Sequence, residues 1–220
     1  MVKTILGIDE AGKGPVIGDL VIVGALFKET DAKKLEEIGV KDSKKLTPKK
    51  REELFEVIKE LAIKHKIITV SPREIDQRFS VNTNLNQLEA IKFAELINEL
   101  KPDVAVIDCP SANTKGFHNY LKQFVEHDCK IKCENYADLN HIEVGAASII
   151  AKVTRDAGIR KIEKDIGAVI GAGYPSDPIT IKFLETAIKN KEWMGRYVRN
   201  SWFTVQRIKD EKAQLKLSEF

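Results

Sequence analysis

Two carboxylates, Asp9 and Glu10, sit inside the stretch GIDEAGKGPVIG, just ahead of Gly12 and Lys13. Residues 7–13 fit G-x-x-x-x-G-K, the front of a phosphate-cradling loop. Two chemistries compete here: capture of phosphate by backbone amides, or capture of a hard divalent cation by carboxylate oxygens. The phosphate-loop reading fails three times. It needs Ser or Thr after the lysine to hold magnesium, and Gly14 stands there. It needs a helix opening directly after the loop, and Pro15 leads instead into the β-branched run VIGDLVIVGALF. Its cradle would hold two acids that repel a polyphosphate. Further carboxylates recur at the ends of apolar runs: Asp108 closes VAVID, and Asp138 stands before a long helical stretch. A carboxylate ending a buried strand is costly unless its charge is balanced. Divalent cations would relieve both that cost and the repulsion among converging acids. Taken alone, Asp9 and Glu10 read equally well as loop starts, a common place for Asp.

The elements that must position these residues follow from periodicity and punctuation. Apolar or β-branched runs predict strands over 2–9, 16–27, 67–70, 104–108 and 130–133, the first two antiparallel about a glycine turn. Thr47 and Pro48 open a helix in which Leu54, Ile58 and Leu61 share a face. Ser71 and Glu74 form a capping-box pattern over a short helix. Helices are further expected over 85–100, near 117–125, through GAASIIAKVTRDAGIRKIEK, over 179–189 and over about 200–212. The order predicts an α/β domain with a mixed sheet and a helical end. The chain is expected to divide into a main α/β domain at 1–178, a helical segment at 179–212 and a tail at 213–220.

The chain has 220 residues, 43% hydrophobic and 31% charged, with a net charge of +3. That suits a soluble globular protein, and bulk charge announces no nucleic-acid partner. Three cysteines, Cys109, Cys129 and Cys133, argue for a reducing compartment rather than a disulfide framework. Cys129 and Cys133 make half a zinc site, with no second Cys or His pair nearby to complete it. No signal peptide is read, and no run approaches the ~20 apolar residues of a membrane span. A cytoplasmic protein is expected.

Taken together, GIDEAGKGP, VKDSKKLTP, VAVIDCP, AASIIAKVTRD and GYPSDP resemble ribonuclease HII of the archaeal type. The motifs run in family order from residue 5 to residue 177. The resemblance implies an RNase H-like fold with a central mixed five-stranded sheet flanked by helices, plus a C-terminal helical segment. It implies an endonuclease that cuts RNA in RNA/DNA hybrids and on the 5′ side of ribonucleotides in duplex DNA. The products would carry a 3′-hydroxyl and a 5′-phosphate, and the cofactor would be Mg²⁺ or Mn²⁺ in a two-metal site. The family carboxylates fall on Asp9, Glu10, Asp108 and Asp138. The loop that touches the ribonucleotide falls on Gly12, Lys13 and Gly14, the junction-sensing tyrosine on Tyr174, and the phosphate-facing motif on Asp42, Ser43 and Lys44. Lys152 and Arg155 are further candidate phosphate contacts. Lys13 stands where the family usually has Arg, Tyr136 where Lys is common, and Gly145 where Ser is common.

The tail places Gln214, Leu217 and Phe220 in a Q-x-x-L-x-x-F pattern. It resembles the peptide that docks replication and repair enzymes on a PCNA-type sliding clamp; the plainer reading folds Leu217 and Phe220 back onto the body. A monomer is expected. Two rivals stay open: another metal-dependent nuclease on the same fold, and a non-catalytic nucleic-acid binder.

Overall fold

A computed structural model describes residues 2–40, 46–190 and 192–217. Asp42, Ser43, Lys44 and Phe220 lie outside the described residues. Five strands form one sheet: β1 Thr4–Ala11, β2 Leu20–Lys28, β3 Lys64–Val70, β4 Val104–Asp108 and β5 Lys130–Glu134. Their order is β3-β2-β1-β4-β5. β1 runs antiparallel to β2, from Thr4 opposite Lys28 to Ala11 opposite Val21, and parallel to β4, from Ile5 opposite Val104 to Ile8 opposite Ile107. β4 and β5 are also parallel, so the sheet is mixed as expected. Leu20 to Phe27 are all buried, which explains why β2 reads as a continuous apolar run rather than an alternating one.

The helices are α1 Ala32–Glu37, α2 Pro48–Leu61, α3 Pro72–Gln77, α4 Leu85–Leu100, α5 Thr114–Lys122, α6 Ala137–Asn140, α7 Ile142–Ile166, α8 Pro178–Ala187 and α9 Phe203–Leu217. Local chemistry sets their starts. Thr47 accepts from the Lys50 amide at 3.3 Å with Pro48 in the first turn, and α2 buries Leu54 and Ile58. Asn84 and Gln87 each accept from the other's amide at 2.9 Å, closing a capping box over α4.

By compactness the chain divides into two units. The first comprises Met1–Ala11, Val21–Thr69 and Thr83–Thr154; the second comprises Gly12–Leu20, Val70–Asn82 and Arg155–Phe220. Both are discontinuous in sequence, whereas the sequence reading suggests consecutive segments. The first unit has its main core between β2, α2 and the early turns of α7, around Phe27, Leu35, Ile58, Ile149 and Ile150. There Gly7 of β1 meets the backbone of α7 directly: a β-carbon on Gly7 would stand 2.1 Å from the Glu143 carbonyl oxygen. The second unit packs Val16, Ile17, Ile159, Ile162, Phe183, Leu184, Val205 and Ile208 together, with Phe183 stacked on Trp193.

Several features differ from the sequence expectation. The second strand begins at Leu20, not at 16. Gly18 adopts φ +87° and breaks the run, and Val16 and Gly18 donate to Gly173 and Tyr197 instead of to the sheet. Asp138 lies within the separate short helix α6, which His141 ends in an extended conformation before α7 begins. α1 gives almost no sequence signal, because AKKLEE buries only Leu35. α9 continues to Leu217, so Gln214 and Leu217 are helical.

Candidate active site

In the first unit, parallel pairing brings β1 and β4 to a common edge. Ile8 lies opposite Ile107, so Asp9 and Asp108, each one residue further, lie side by side where the β1–β4 pairing ends. α6 supplies Asp138. One oxygen from each of Asp9, Asp108 and Asp138 lies within 4.8 Å of the others. Asp9 and Asp138 are 5% and 6% exposed, and Asp108 is half-buried. The backbone orients two of them: Glu10 N–H donates to Asp9 Oδ1 at 2.7 Å, and Ala137 N–H donates to Asp108 Oδ1 at 3.1 Å. Three of the four expected acids thus converge; Glu10, next along β1, is not in this group.

Burial pushes the Asp9 carboxyl up to about 7, and the neighbouring Asp108 charge adds to the rise. Lys152, the Glu10 amide and Ser148 oppose it. Lys152 and Ser148 stand one turn apart on α7, and the ammonium donates to the Ser148 hydroxyl. Lys152 therefore acts as a counter-charge to Asp9. An all-oxygen, largely buried set in which burial, with the neighbouring charge, holds a proton on Asp9 is the donor chemistry of a hard divalent cation, and the residues fit one. Cys133 is instead a poor ligand, because burial pushes its thiol up to about 12.

In the second unit, the glycine loop runs from Gly12, buried at φ +89°, through half-buried Lys13 to exposed Gly14. A β-carbon at Gly12 would stand 2.7 Å from the Asp19 carbonyl oxygen, so both the turn and the space require glycine. The Tyr174 ring lies beside Gly14, and a β-carbon there would reach Tyr174 Cε1 at 3.6 Å. Tyr174 is 38% exposed, held rather than swallowed by its surroundings. Asp177 accepts from the amides of Ala172 at 2.7 Å and Ile179 at 2.9 Å, which fixes the GYPSDP turn and holds its carboxyl below the usual range. Arg155 donates to the Ala172 carbonyl, pairs with Asp156 at 3.2 Å and lies 5.2 Å from the Tyr174 ring centre.

The sequence reading missed Arg199. It is wholly buried and donates to three carbonyls: Gly12 at 2.6 Å, Lys13 at 2.9 Å and Gly18 at 3.0 Å. Burial lowers its pKa to about 10, with Asp19 the main opposing charge. Trp202 donates its indole N–H to Gly14 O at 3.1 Å. The available signal was an arginine inside the aromatic-rich stretch YVRNSWF.

Comparison with known proteins agrees with this geometry. The family model of ribonuclease HII matches residues 6–205. Ribonuclease HII of Thermococcus sibiricus is 46% identical, the match covering 97% of this chain and 96% of that one. The crystal structure of ribonuclease H2 from Pyrococcus horikoshii OT3 superposes with a TM-score of 0.86 at 39% identity, covering 94% of this chain and 98% of that one. The ribonuclease HII in the PCNA:RNase HII complex from Archaeoglobus fulgidus superposes with a TM-score of 0.81 at 37% identity, covering 92% and 95%. With the carboxylate cluster, the glycine loop and the mixed sheet all in place, the chain belongs to the ribonuclease HII family.

Proposed function

We propose that this endonuclease hydrolyses the RNA strand of RNA/DNA hybrids and also cuts duplex DNA on the 5′ side of an embedded ribonucleotide, leaving a 3′-hydroxyl and a 5′-phosphate. Family membership carries the coarser part, a hydrolytic endoribonuclease acting on RNA/DNA hybrids with divalent metal. The observation that supports the chemistry is the convergence of Asp9, Asp108 and Asp138. These acids, with Glu10 as the fourth, would hold Mg²⁺ or Mn²⁺, which when bound as a pair would activate water and neutralise the leaving oxygen. The chain's own groups prepare that state. Lys152 and the Glu10 amide favour the charged form of Asp9. The Ala137 amide fixes the Asp108 carboxylate in orientation.

Ribose recognition is assigned to the backbone of Gly12, Lys13 and Gly14, because only the 2′-hydroxyl distinguishes RNA from DNA at a given position. Tyr174 would stack on the sugar beside it. Lys152 and Arg155 remain candidate phosphate contacts, with Ser43 and Lys44 beyond the described residues. The relative from Archaeoglobus fulgidus is seen in complex with PCNA. Gln214, Leu217 and Phe220 are assigned the same kind of docking on a sliding clamp. Among the described residues no helix is long and apolar enough to cross a membrane; a cytoplasmic monomer is proposed.

The test is incubation with three labelled duplexes, one all-DNA, one carrying a single ribonucleotide and one RNA/DNA hybrid, in Mg²⁺, Mn²⁺ or EDTA. Metal-dependent cuts at the 5′ side of the ribonucleotide, and none in all-DNA, are expected. Equal cutting of all-DNA would favour a general nuclease on the same fold, and binding without cutting would favour a non-catalytic binder.

A further inference from the structure

Three consecutive carbonyls of the glycine loop are all taken by one short segment of chain. Gly12 O and Lys13 O accept from the two terminal nitrogens of Arg199, and Gly14 O accepts from the Trp202 indole. The segment is itself fastened. Asp76 accepts from the amides of Asn200 at 2.8 Å and Ser201 at 2.9 Å, and Arg78 donates to Ser201 Oγ at 3.1 Å. Two guanidinium groups lie near the Trp202 ring, Arg199 at 4.9 Å and Arg78 at 5.5 Å from its centre. Such contacts fix the plane of the indole as well as its place.

This arrangement has a directional consequence. In a planar trans peptide the N–H points opposite to the preceding C=O, and no cis peptide occurs among the described residues. Drawing Gly12 O and Lys13 O toward Arg199 therefore turns the amides of Lys13 and Gly14 to the other side. Pro15 has no N–H, so the series of donors ends there. A buried arginine is an expensive way to staple a loop, since its charge must be desolvated. Its flat fork nevertheless suits the task, because it reaches several carbonyls at fixed angles where a lysine would reach one.

We propose that Arg199 and Trp202 are positioning residues for ribose recognition: they hold the loop carbonyls to one side so that the loop amides meet a 2′-hydroxyl. The inference rests on the assignment of the glycine loop to ribose reading made above. Neither residue touches substrate in this account; both act through the loop.

The test uses the full chain and Trp202→Phe, which keeps an aromatic ring near the two arginines and removes the indole N–H together with the second ring of the side chain. Two quantities are compared: kcat/KM on a duplex carrying one ribonucleotide, and the inhibition constant of an all-DNA duplex of the same sequence. Mn²⁺ titration calorimetry on the free protein reads the carboxylate cluster separately. The variant should lose about tenfold in kcat/KM, the scale of one hydrogen bond. The all-DNA inhibition constant, the Mn²⁺ isotherm and Tm should stay put. Arg199→Lys should lose more, and also lower Tm. An unchanged kcat/KM in Trp202→Phe, or an equal weakening toward all-DNA, overturns the inference while leaving the functional reading standing. Failure of the unaltered protein to cut the ribonucleotide duplex overturns both.

Discussion

The Ala137 amide donates to the Asp108 carboxylate at 3.1 Å, joining the end of β4 to the start of α6 across 29 residues. The turn that delivers this amide is strained. Tyr136, the residue before it, adopts φ +59° and ψ +34°, a left-handed conformation that bulky side chains avoid. Tyr136 is 68% exposed. Strain of this kind persists where the surroundings over-determine the backbone, and here it orients a carboxylate of the cluster.

Tyr136→Gly should therefore stabilise the fold by about 1 kcal/mol, the cost of a left-handed non-glycine residue. Thermal or urea unfolding measures it, and a loss of stability would mean that the ring makes contacts worth more than the strain.

Asp9→Asn and Asp108→Asn should each reduce cleavage below about 1% of the unaltered rate, since loss of a ligand exceeds the 10–100-fold typical of residues that merely support ligands. Circular dichroism should stay native. Retained activity in either purified variant would remove the metal assignment.

The metal-free protein should carry a pH-dependent liability at Asp9. Its carboxyl titrates near 7 in the fold and near the ordinary aspartate value when unfolded. The folded state thus binds more protons between about pH 4 and pH 7, so this group's contribution to stability falls as pH rises through that window. Unfolding in EDTA at a series of pH values should show the decline, and Asp9→Asn should flatten it and raise stability above pH 7. Added Mn²⁺ should offset the decline in the unaltered protein alone.

Tyr174→Ala should lower cleavage at a lone ribonucleotide by about tenfold, on the scale of one lost stacking contact. Because the ring is 38% exposed, Tm should move little. A loss of activity that tracks a large fall in Tm would make Tyr174 a packing residue instead.

Phe220→Ala should abolish binding to a sliding clamp from the same source, measured by calorimetry with the full chain. Cleavage without the clamp should not change. Equal binding by the variant would assign the tail another role.

Much of the site was legible in the sequence, because its chemistry is written in short motifs. Asp9 and Asp108 each end an apolar run, and the parallel register of β1 with β4 turns that likeness into adjacency. Asp138 was identified, but its helix was not: residues 137–140 hold too few apolar positions for any period. Gly18 was read as part of a strand, since a single glycine in VIGDLVIV does not announce its positive φ. Arg199 escaped because its partners are backbone carbonyls more than 180 residues away, and carbonyls leave no trace in residue identity. Lys152 is a candidate phosphate contact on charge alone, and its further place as a counter-charge to Asp9 shows only in the fold.

The second unit unites residues 12–20 with residues 155–220. On the ribosome, the glycine loop emerges early and waits for Arg199. At bacterial-to-eukaryotic elongation speeds that interval is roughly 10–40 s. Throughout it, β1 and β4, which carry Asp9 and Asp108, can already pair while the glycine loop has no clamp. On the proposed assignment, a nascent chain cannot fasten the loop that reads ribose until nearly all of its length has left the exit tunnel, so selectivity is the last property the growing chain acquires.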